Sequence, residues 1–261
     1  MKVVILAGGL GTRLSEETAI RPKPMVEIGG KPILWHIMKM YTHYGFKEFI
    51  ICLGYKGDYI KEWLYHYFIH NGDVTLDLKN NSINRIKSNS EDWIVTLAET
   101  GDNTMTGGRI KRIKDYVGNE TFMMTYGDGV SDVNIKELIE FHKKHGKIGT
   151  VTAVIPEGRF GTLDLQDDES LRTHKIVVNF NEKKDNSGRV SAGFFVFEPQ
   201  IFDYIEGDDT IFEKGPLTRL AQEGQLYAYH HDGFWKPMDN LSDKHKLKLL
   251  WQEGAPWKIW D

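Results

Sequence analysis

The sequence predicts an α/β fold with a Rossmann-like, mixed and mainly parallel sheet flanked by helices, and a small β-rich portion. Three observations support this prediction. Short apolar runs, such as residues 3–7 and 49–53, alternate with stretches whose apolar residues recur at helical spacing. The first run leads into glycines at residues 8, 9 and 11, where open parallel sheets place ligand-binding loops. The length of 261 residues suits one such domain with an appended element.

The elements of the first half follow from spacing and from turn residues. Residues 3–7 are predicted to form a buried strand, and a helix is predicted to begin near Leu14. Pro32 marks the first turn of a helix that Gly45 ends, because apolar residues between them recur every three or four positions. Further strands are predicted at 49–53, 73–78, 93–99 and 121–126, with helices at 58–69 and 109–117. The polar, asparagine-rich residues 79–92 predict an exposed loop or hairpin that is prone to disorder.

The second half repeats the alternation and then becomes richer in strands. Its predicted elements are a helix at 134–145, strands at 148–155, 160–165, 175–180 and 191–197, and a helix at 241–251. The tryptophans of the tail are expected to pack on the domain or on a neighbouring subunit. His142 and His145 are predicted on the outer, lysine-rich side of the first of these helices, without the spacing of a metal site.

Composition limits the possible partners and compartments. The 33 basic and 37 acidic residues give a formal charge of −4, which favours neither a nucleic acid nor an acidic membrane as partner. No apolar stretch approaches the roughly 18 residues of a membrane span. Cys52 is the single cysteine, which excludes an internal disulfide, and its strand-like surroundings predict core packing. A cytoplasmic protein is therefore expected.

The turn after the first strand has the composition of a phosphate-binding loop. Residues 8–14 read Gly-Gly-Leu-Gly-Thr-Arg-Leu, and glycines let several backbone N–H groups converge on one anion. Arg13 and Lys23 supply full positive charges. Because Lys23 stands between Pro22 and Pro24, it is predicted to lie on a stiff extended segment. A tight turn without a ligand is the alternative, but it gives no reason for a lysine between two prolines.

Two better-known glycine motifs do not fit. No Lys-Ser or Lys-Thr pair follows the glycines, as an NTPase P-loop requires. A dinucleotide fingerprint needs a third glycine where Leu14 stands and an acidic residue after the next strand. The segment instead resembles the entry motif of the sugar nucleotidyltransferases, Gly-Gly-x-Gly-Thr-Arg-Leu followed by Pro-Lys-Pro.

That resemblance implies the nucleotide-diphospho-sugar transferase fold in a single domain. Residues 1–130 would form the nucleotide-binding half, 131–240 the sugar-phosphate-binding half, and 241–261 a C-terminal helix and tail. The implied nucleotide contacts are Leu6, Ala7, Gly8, Gly9, Leu10, Gly11, Thr12, Arg13, Lys23, Thr104, Arg109 and Gly127. The implied catalytic residues are Arg13, Lys23 and Asp128.

A carboxylate beside the phosphate loop points to a metal ion. Asp128 follows the strand at 121–126, so it should face the same sheet edge as the loop, where it would repel phosphate unless a cation intervened. Mg²⁺ prefers oxygen ligands and phosphate. The resemblance adds Asp239 as a second metal ligand. The alternatives are a turn aspartate at 128 and a helix N-cap at 239.

The sugar phosphate is assigned to the second half through the resemblance. Glu182 is implied to accept from sugar hydroxyls and Lys183 to meet the phosphate, although a surface charge pair is the alternative. Gly193 is implied to let the sugar approach the backbone. The implied reaction is an in-line attack of the sugar phosphate oxygen on the α-phosphorus of a nucleoside triphosphate, with loss of pyrophosphate.

The base is suggested by a departure from the family pattern. Thymidylyl- and uridylyltransferases carry a Gly-Leu-Ala type segment, whereas residues 101–109 read Gly-Asp-Asn-Thr-Met-Thr-Gly-Gly-Arg. This segment looks like that of the glucose-1-phosphate cytidylyltransferases, with Thr104 and Arg109 as base or ribose contacts. The likeness implies CTP and glucose 1-phosphate as substrates, and CDP-glucose for dideoxy-sugar and O-antigen synthesis. Transfer from UTP or dTTP stays open as the alternative.

Two further classes are less consistent with the residues. A glycosyltransferase of this architecture would present Asp-x-Asp, but Asp128 is followed by Gly129 and Val130. A non-catalytic nucleotide-sugar sensor would have lost Lys23 or an aspartate, and these are present. The resemblance also implies a homo-oligomer, with a hexamer as the expected form and residues 70–95 as a candidate contact.

Overall fold

The structure is a computed structural model that describes residues 1–87, 90–156, 162–167, 175–181 and 188–260. Its strands are β1 (Val3–Leu6), β2 (Glu27–Ile28), β3 (Lys31–Pro32), β4 (Glu48–Leu53), β5 (Val74–Asp77), β6 (Ser82–Arg85), β7 (Ile94–Glu99), β8 (Phe122–Tyr126), β9 (Gly129–Ser131), β10 (Gly149–Val154), β11 (Thr162–Asp167), β12 (Lys175–Asn181), β13 (Val190–Phe197), β14 (Leu226–His231) and β15 (Trp235–Pro237). Its α-helices are α1 (Ser15–Thr18), α2 (Ile33–His43), α3 (Gly57–His70), α4 (Thr106–Arg112), α5 (Lys114–Val117), α6 (Ile135–His145), α7 (Pro216–Gln222) and α8 (Leu241–Glu253). Short 3₁₀ turns cover Thr12–Leu14, Lys23–Met25 and Pro199–Tyr204.

The central sheet is mixed and mainly parallel, which confirms the predicted fold class. Its order is β14-β10-β13-β8-β1-β4-β7. The pairs β8–β1, β1–β4, β4–β7 and β10–β14 are parallel, and only β13 runs against its two neighbours. A separate antiparallel pair, β11 with β12, forms from the β-rich stretch. One sheet therefore joins strands from both halves of the chain.

Both faces of the sheet are covered, which explains why its inner strands read as continuous apolar runs. Val3 and Ile5 point into a core shared with α2. Val4 points the other way, into a core that α4 and the turn at Pro199–Tyr204 complete. Cys52 is buried in this second core, as expected, and burial raises the pKa of its thiol to about 12.

Residues 73–85 form a hairpin. β5 pairs with β6 in antiparallel register, so part of the asparagine-rich stretch forms a hairpin, one of the two predicted forms.

The helix predicted from Arg109 starts at Thr106 and stops at Arg112. Gly107 and Gly108 lie where a Cβ would come within 3.0 Å of the 208–210 backbone. Close packing, rather than turn formation, requires glycine there.

The segment around Lys23 is not extended as predicted. Pro22 has extended dihedral angles, but Lys23–Met25 forms a 3₁₀ turn closed by the Met25 N–H donating to the Pro22 carbonyl at 2.8 Å. The Lys23 side chain is thereby turned inward and largely buried. The two prolines therefore restrict the backbone of a turn and not of an extended segment.

His142 lies on the inner face of α6, which corrects its predicted place on the outer side. It is buried, with Nδ1 at 2.8 Å from the Thr150 hydroxyl and Nε2 at 3.1 Å from Glu198. Burial lowers the pKa of its imidazole. Periodicity missed it because a histidine with polar partners on the sheet can occupy an inward position.

The C-terminal tail packs on the domain. Trp257 is fully buried beside His36 of α2, and Trp251 and Trp260 surround the same imidazole. α8 is capped by Asn240, whose side chain accepts from the Asp243 N–H, so Asp239 does not cap this helix.

Within the described ranges no helix combines the length and the apolar character that crossing a bilayer requires.

Candidate active site

The site forms where two neighbouring parallel strands end. β1 and β8 pair in register, so the glycine loop after β1 and residues 127–129 after β8 share one edge of the sheet. The Gly127 N–H donates to the Leu6 carbonyl at 3.0 Å, which joins the two loops at their bases. A Cβ at Gly127 would approach that carbonyl to 2.9 Å. The close approach of the two loops therefore requires glycine at position 127.

The glycines of the loop have different roles. Gly11 has φ of 63°, a left-handed conformation, and precedes the turn at Thr12–Leu14. A Cβ at Gly8 would lie 2.2 Å from the Arg109 guanidinium, so glycine is required there by a side chain. Nothing lies within 4 Å of a Cβ at Gly9, which leaves this part of the loop open toward a ligand.

Two carboxylates and two cations meet beside the loop. Lys23 Nζ donates to Asp128 Oδ2 at 2.6 Å and to Asp239 Oδ1 at 3.0 Å. Arg13 Nη2 lies 3.1 Å from the same Asp239 oxygen, with its side chain 74% exposed. The Lys23 side chain is only 10% exposed, so its attraction to the carboxylates is less screened than that of a surface pair. We call these four residues the charged cluster.

A small antiparallel ribbon brings Asp239 into the charged cluster. β9 follows Asp128, and β15 precedes Asp239; the two strands pair with Pro237 opposite Gly129. The Met238 N–H also donates to the Asp128 carbonyl at 2.8 Å. Backbone hydrogen bonds therefore place two aspartates side by side although 111 positions separate them in the sequence.

The donor set of the charged cluster suits a divalent metal held together with substrate phosphates. Mg²⁺ is usually bound by one or two carboxylates plus phosphate oxygens and water. Asp128 and Asp239 direct oxygens at one point, since both contact the same lysine nitrogen. No group of three or more His, Cys, Asp and Glu side chains converges on a metal position among the described residues.

The first cleft, of about 620 Å³, lies over the glycine loop. All twelve residues of the predicted nucleotide set line it: Leu6, Ala7, Gly8, Gly9, Leu10, Gly11, Thr12, Arg13, Lys23, Thr104, Arg109 and Gly127. Its far wall is formed by residues 102–106, the segment that suggested the base. The cleft therefore runs from the predicted base segment to the charged cluster.

Arg109 fastens the loop to this wall. Its guanidinium is buried, and burial lowers its pKa. Its two terminal nitrogens donate to five oxygens, which are the carbonyls of Gly8, Leu53, Gly101 and Asp102 and the hydroxyl of Thr100. These bonds tie the ends of β1, β4 and β7 together. Arg109 thus holds the cleft in shape, a role that the sequence did not suggest.

A second cleft, of about 380 Å³, continues from the charged cluster. Arg13, Asp128 and Asp239 border it, and Gly193 lies along its side. A Cβ at Gly193 would meet the Tyr126 ring at 2.5 Å, and φ there is 79°. Glycine is therefore required by the aromatic ring and by the backbone, independently of any ligand.

Some site residues were missed or lie outside the described ranges. Glu182 and Lys183 are outside the residues that the structure describes. Tyr126 lines both clefts and Glu213 lines the second, yet neither was predicted to have a role. Tyr126 stands two positions before Asp128, a local signal that could have found it. Glu213 belongs to no recognisable motif.

Comparison with known proteins gives consistent matches. The nucleotidyl transferase family model matches residues 2–243. The glucose-1-phosphate cytidylyltransferase of Salmonella typhi is 55% identical over 264 residues, with both chains covered completely. The probable glucose-1-phosphate cytidylyltransferase of Bacillus subtilis is 44% identical, again over both full chains. The crystal structure of HddC from Yersinia pseudotuberculosis superposes with a TM-score of 0.65 at 26% identity, covering 96% of this chain and 99% of that one.

Proposed function

Because the chain belongs to the nucleotidyl transferase family, we propose that it forms CDP-glucose and pyrophosphate from CTP and α-D-glucose 1-phosphate. The observation that carries this proposal is the charged cluster at the junction of two clefts. Lys23 contacts Asp128 and Asp239 where the clefts meet, with the glycine loop on one side and Gly193 on the other. Two anionic substrates entering from opposite sides would bring their phosphates together there.

The reaction needs positioning and charge compensation rather than a covalent intermediate. A phosphate oxygen of glucose 1-phosphate forms a bond to the α-phosphorus of CTP, while the bond from that phosphorus to pyrophosphate breaks. Backbone N–H groups of residues 8–12 and the Arg13 guanidinium would hold the departing phosphates. Lys23 would stand between the two reacting phosphates, where the negative charges approach most closely.

Asp128 and Asp239 would hold a divalent metal, which we propose to be Mg²⁺. When bound, such an ion supplies charge compensation at the α-phosphate and helps to orient the nucleotide. The chain's own contribution is the pair of oxygens that the β9–β15 ribbon holds in place. Lys23 would then exchange its contacts with the carboxylates for contacts with phosphate oxygens.

The assignment of CTP rests on the likeness of residues 101–109 and on full-length relatives. Thr104 is buried in the wall of the first cleft, where it could contact a base. The carbonyls held by Arg109 are fixed acceptors, and cytosine differs from uracil by offering an amino group as a donor. Transfer from UTP or dTTP uses the same charged cluster and is the competing function.

The proposal extends to the organisation of the chain. Residues 1–130 would bind the nucleotide, residues 131–240 the sugar phosphate through Glu182, Lys183 and Gly193, and residues 241–261 would support the domain. We also propose a homo-oligomer, with six copies as the expected number.

The proposed function is tested by pyrophosphate release from glucose 1-phosphate with CTP, UTP, dTTP, ATP or GTP, each with Mg²⁺ and with excess EDTA. We expect turnover with CTP in Mg²⁺ and its loss in EDTA. Turnover with UTP or dTTP instead would leave the chemistry in place and refute the base assignment. Absence of pyrophosphate release with all five nucleotides would refute the proposed substrate pair.

A further inference from the structure

Glu213 faces the second cleft, and the proposed chemistry gives it no role. It lies shortly before α7 and borders the same space as Gly193, Trp235 and three of the four residues of the charged cluster, all but Lys23. Within the described part of the chain, no cation forms an ion pair with its carboxylate. A carboxylate in a cleft meant for an anionic substrate repels the phosphate, so its presence calls for a different part of the ligand.

Two hydroxyl groups orient the Glu213 carboxylate by donating hydrogen bonds to it. The Tyr126 hydroxyl donates to Oε1, and the Thr106 hydroxyl donates to Oε2 at 2.8 Å. The Thr106 oxygen accepts from the Phe212 N–H at 2.9 Å, which leaves its own hydrogen for Glu213. Burial and the charge of Glu213 raise the pKa of Tyr126, so the phenol stays protonated and remains a donor.

The oriented carboxylate has unused capacity. Each carboxylate oxygen can accept about two hydrogen bonds, and among the described residues only Tyr126, on Oε1, and Thr106, on Oε2, donate to it. Sugar hydroxyls are neutral donors that suit a fixed, charged acceptor. With phosphate drawn to Lys23 and Arg13 and repelled from Glu213, a sugar phosphate would lie with its hydroxyls toward the carboxylate.

We propose that Glu213 accepts hydrogen bonds from hydroxyl groups of the sugar 1-phosphate and discriminates between sugars in the second cleft. The inference rests on the proposed function, since it assumes a sugar phosphate there. It adds a second acceptor, on a different segment, to the one expected at Glu182. Tyr126 and Thr106 act as positioning residues for it.

The first experiment compares Glu213→Gln with wild-type enzyme. We expect kcat/KM for glucose 1-phosphate to fall at least tenfold, as for loss of a hydrogen bond to a charged acceptor, while KM for CTP changes less than twofold. Glu223→Gln is the matched control, because Glu223 also accepts from a tyrosine hydroxyl, that of Tyr204 at 2.6 Å, but lies outside both clefts. This control should retain wild-type kinetics.

A second experiment separates direct contact from a structural effect. Wild type and Glu213→Gln are assayed with the 2-, 3-, 4- and 6-deoxy analogues of glucose 1-phosphate. For at least one analogue, the penalty of the substitution should disappear, because the hydroxyl that contacts Glu213 is already missing. An undiminished penalty with all four analogues would overturn the inference.

The remaining outcomes separate this inference from the proposed function. If the penalty appears in KM for CTP and disappears with 2′- or 3′-deoxy CTP, Glu213 contacts the ribose and the inference is wrong. If wild type turns over glucose 1-phosphate and Glu213→Gln matches it, only the inference is overturned. Absence of wild-type turnover with any nucleotide would overturn both.

Discussion

The Lys23 ammonium group is almost buried and contacts two carboxylates. Removing water from this group strengthens its attraction to Asp128 and Asp239, and the 3₁₀ turn between the prolines holds its backbone. Such a preorganised charge is most effective where negative charge concentrates during reaction. The position therefore favours a role in turnover over a role in stability.

Lys23→Ala is predicted to lower kcat at least about 100-fold, on the scale of losing one preorganised electrostatic contact. The fold should persist, because Arg13 still compensates Asp239 and Asp128 is partly exposed to water. Steady-state pyrophosphate release and circular dichroism measure both effects. Lys47→Ala is the control, since Lys47 pairs with Asp92 at the surface. A kcat within tenfold of wild type, with the fold intact, would rule out the proposed role of Lys23.

Among the elements, the C-terminal tail is held to α2 through one imidazole. His36 Nε2 lies 2.8 Å from the Ile28 carbonyl, and the Trp257 indole N–H points at Nδ1 from 3.4 Å. Both contacts are satisfied only when Nε2 carries the proton and Nδ1 is free to accept, which is a neutral ring. Burial among the tryptophans lowers the pKa of His36 to about 4.

The tail should therefore loosen in acid. His36 has an ordinary pKa near 6.5 when unfolded and about 4 when folded, so the unfolded state gains the proton first and stability falls as pH drops between these values. Between pH 7.5 and 4.5 this group should remove roughly 2–3 kcal/mol from the free energy of unfolding. His36→Gln should reduce the pH dependence by that amount, as measured by urea unfolding.

The exposed His66 offers the control for this experiment. His66→Gln makes the same substitution at an exposed position of α3 and is measured in parallel. An equal pH dependence in His36→Gln and wild type would show that His36 does not take up the proton differently on folding.

On the scale of the whole molecule, residues 65–94 carry several exposed apolar side chains. The large apolar side chains that are exposed around α3, the β5–β6 hairpin and the start of β7 are Tyr65, Phe68, Leu76, Leu78, Ile83, Ile86 and Ile94. β7 is also the edge strand of the sheet. Leu76 and Ile83 are cross-strand neighbours in the hairpin, and adjacent exposed apolar residues are typical of contacts between chains.

Light scattering after size exclusion is predicted to give a mass close to six times that of one chain. Combining Leu76→Ser with Ile83→Ser should reduce the mass, because it removes apolar area from the candidate contact. Tyr116→Ser, which replaces an exposed aromatic residue elsewhere, should leave the mass unchanged. A wild-type monomer would contradict the proposed assembly.

The sequence by itself determined the fold class, most elements and the composition of the glycine loop. Those features depend on local signals: branched apolar runs for strands, helical spacing for α2 and α6, and residues 8–14 for the loop. The pairing of Asp128 with Asp239 came from family resemblance, because no local rule joins residues so far apart.

Only the tertiary structure decided what the long-range contacts do. It turned Lys23 inward on a 3₁₀ turn, made Arg109 a clamp of backbone carbonyls, buried His142, and set Glu213 against Tyr126. Each outcome depends on atoms from segments that are distant in sequence. Spacing along the chain records which face a residue occupies, whereas the partner it meets there is fixed by how the elements pack.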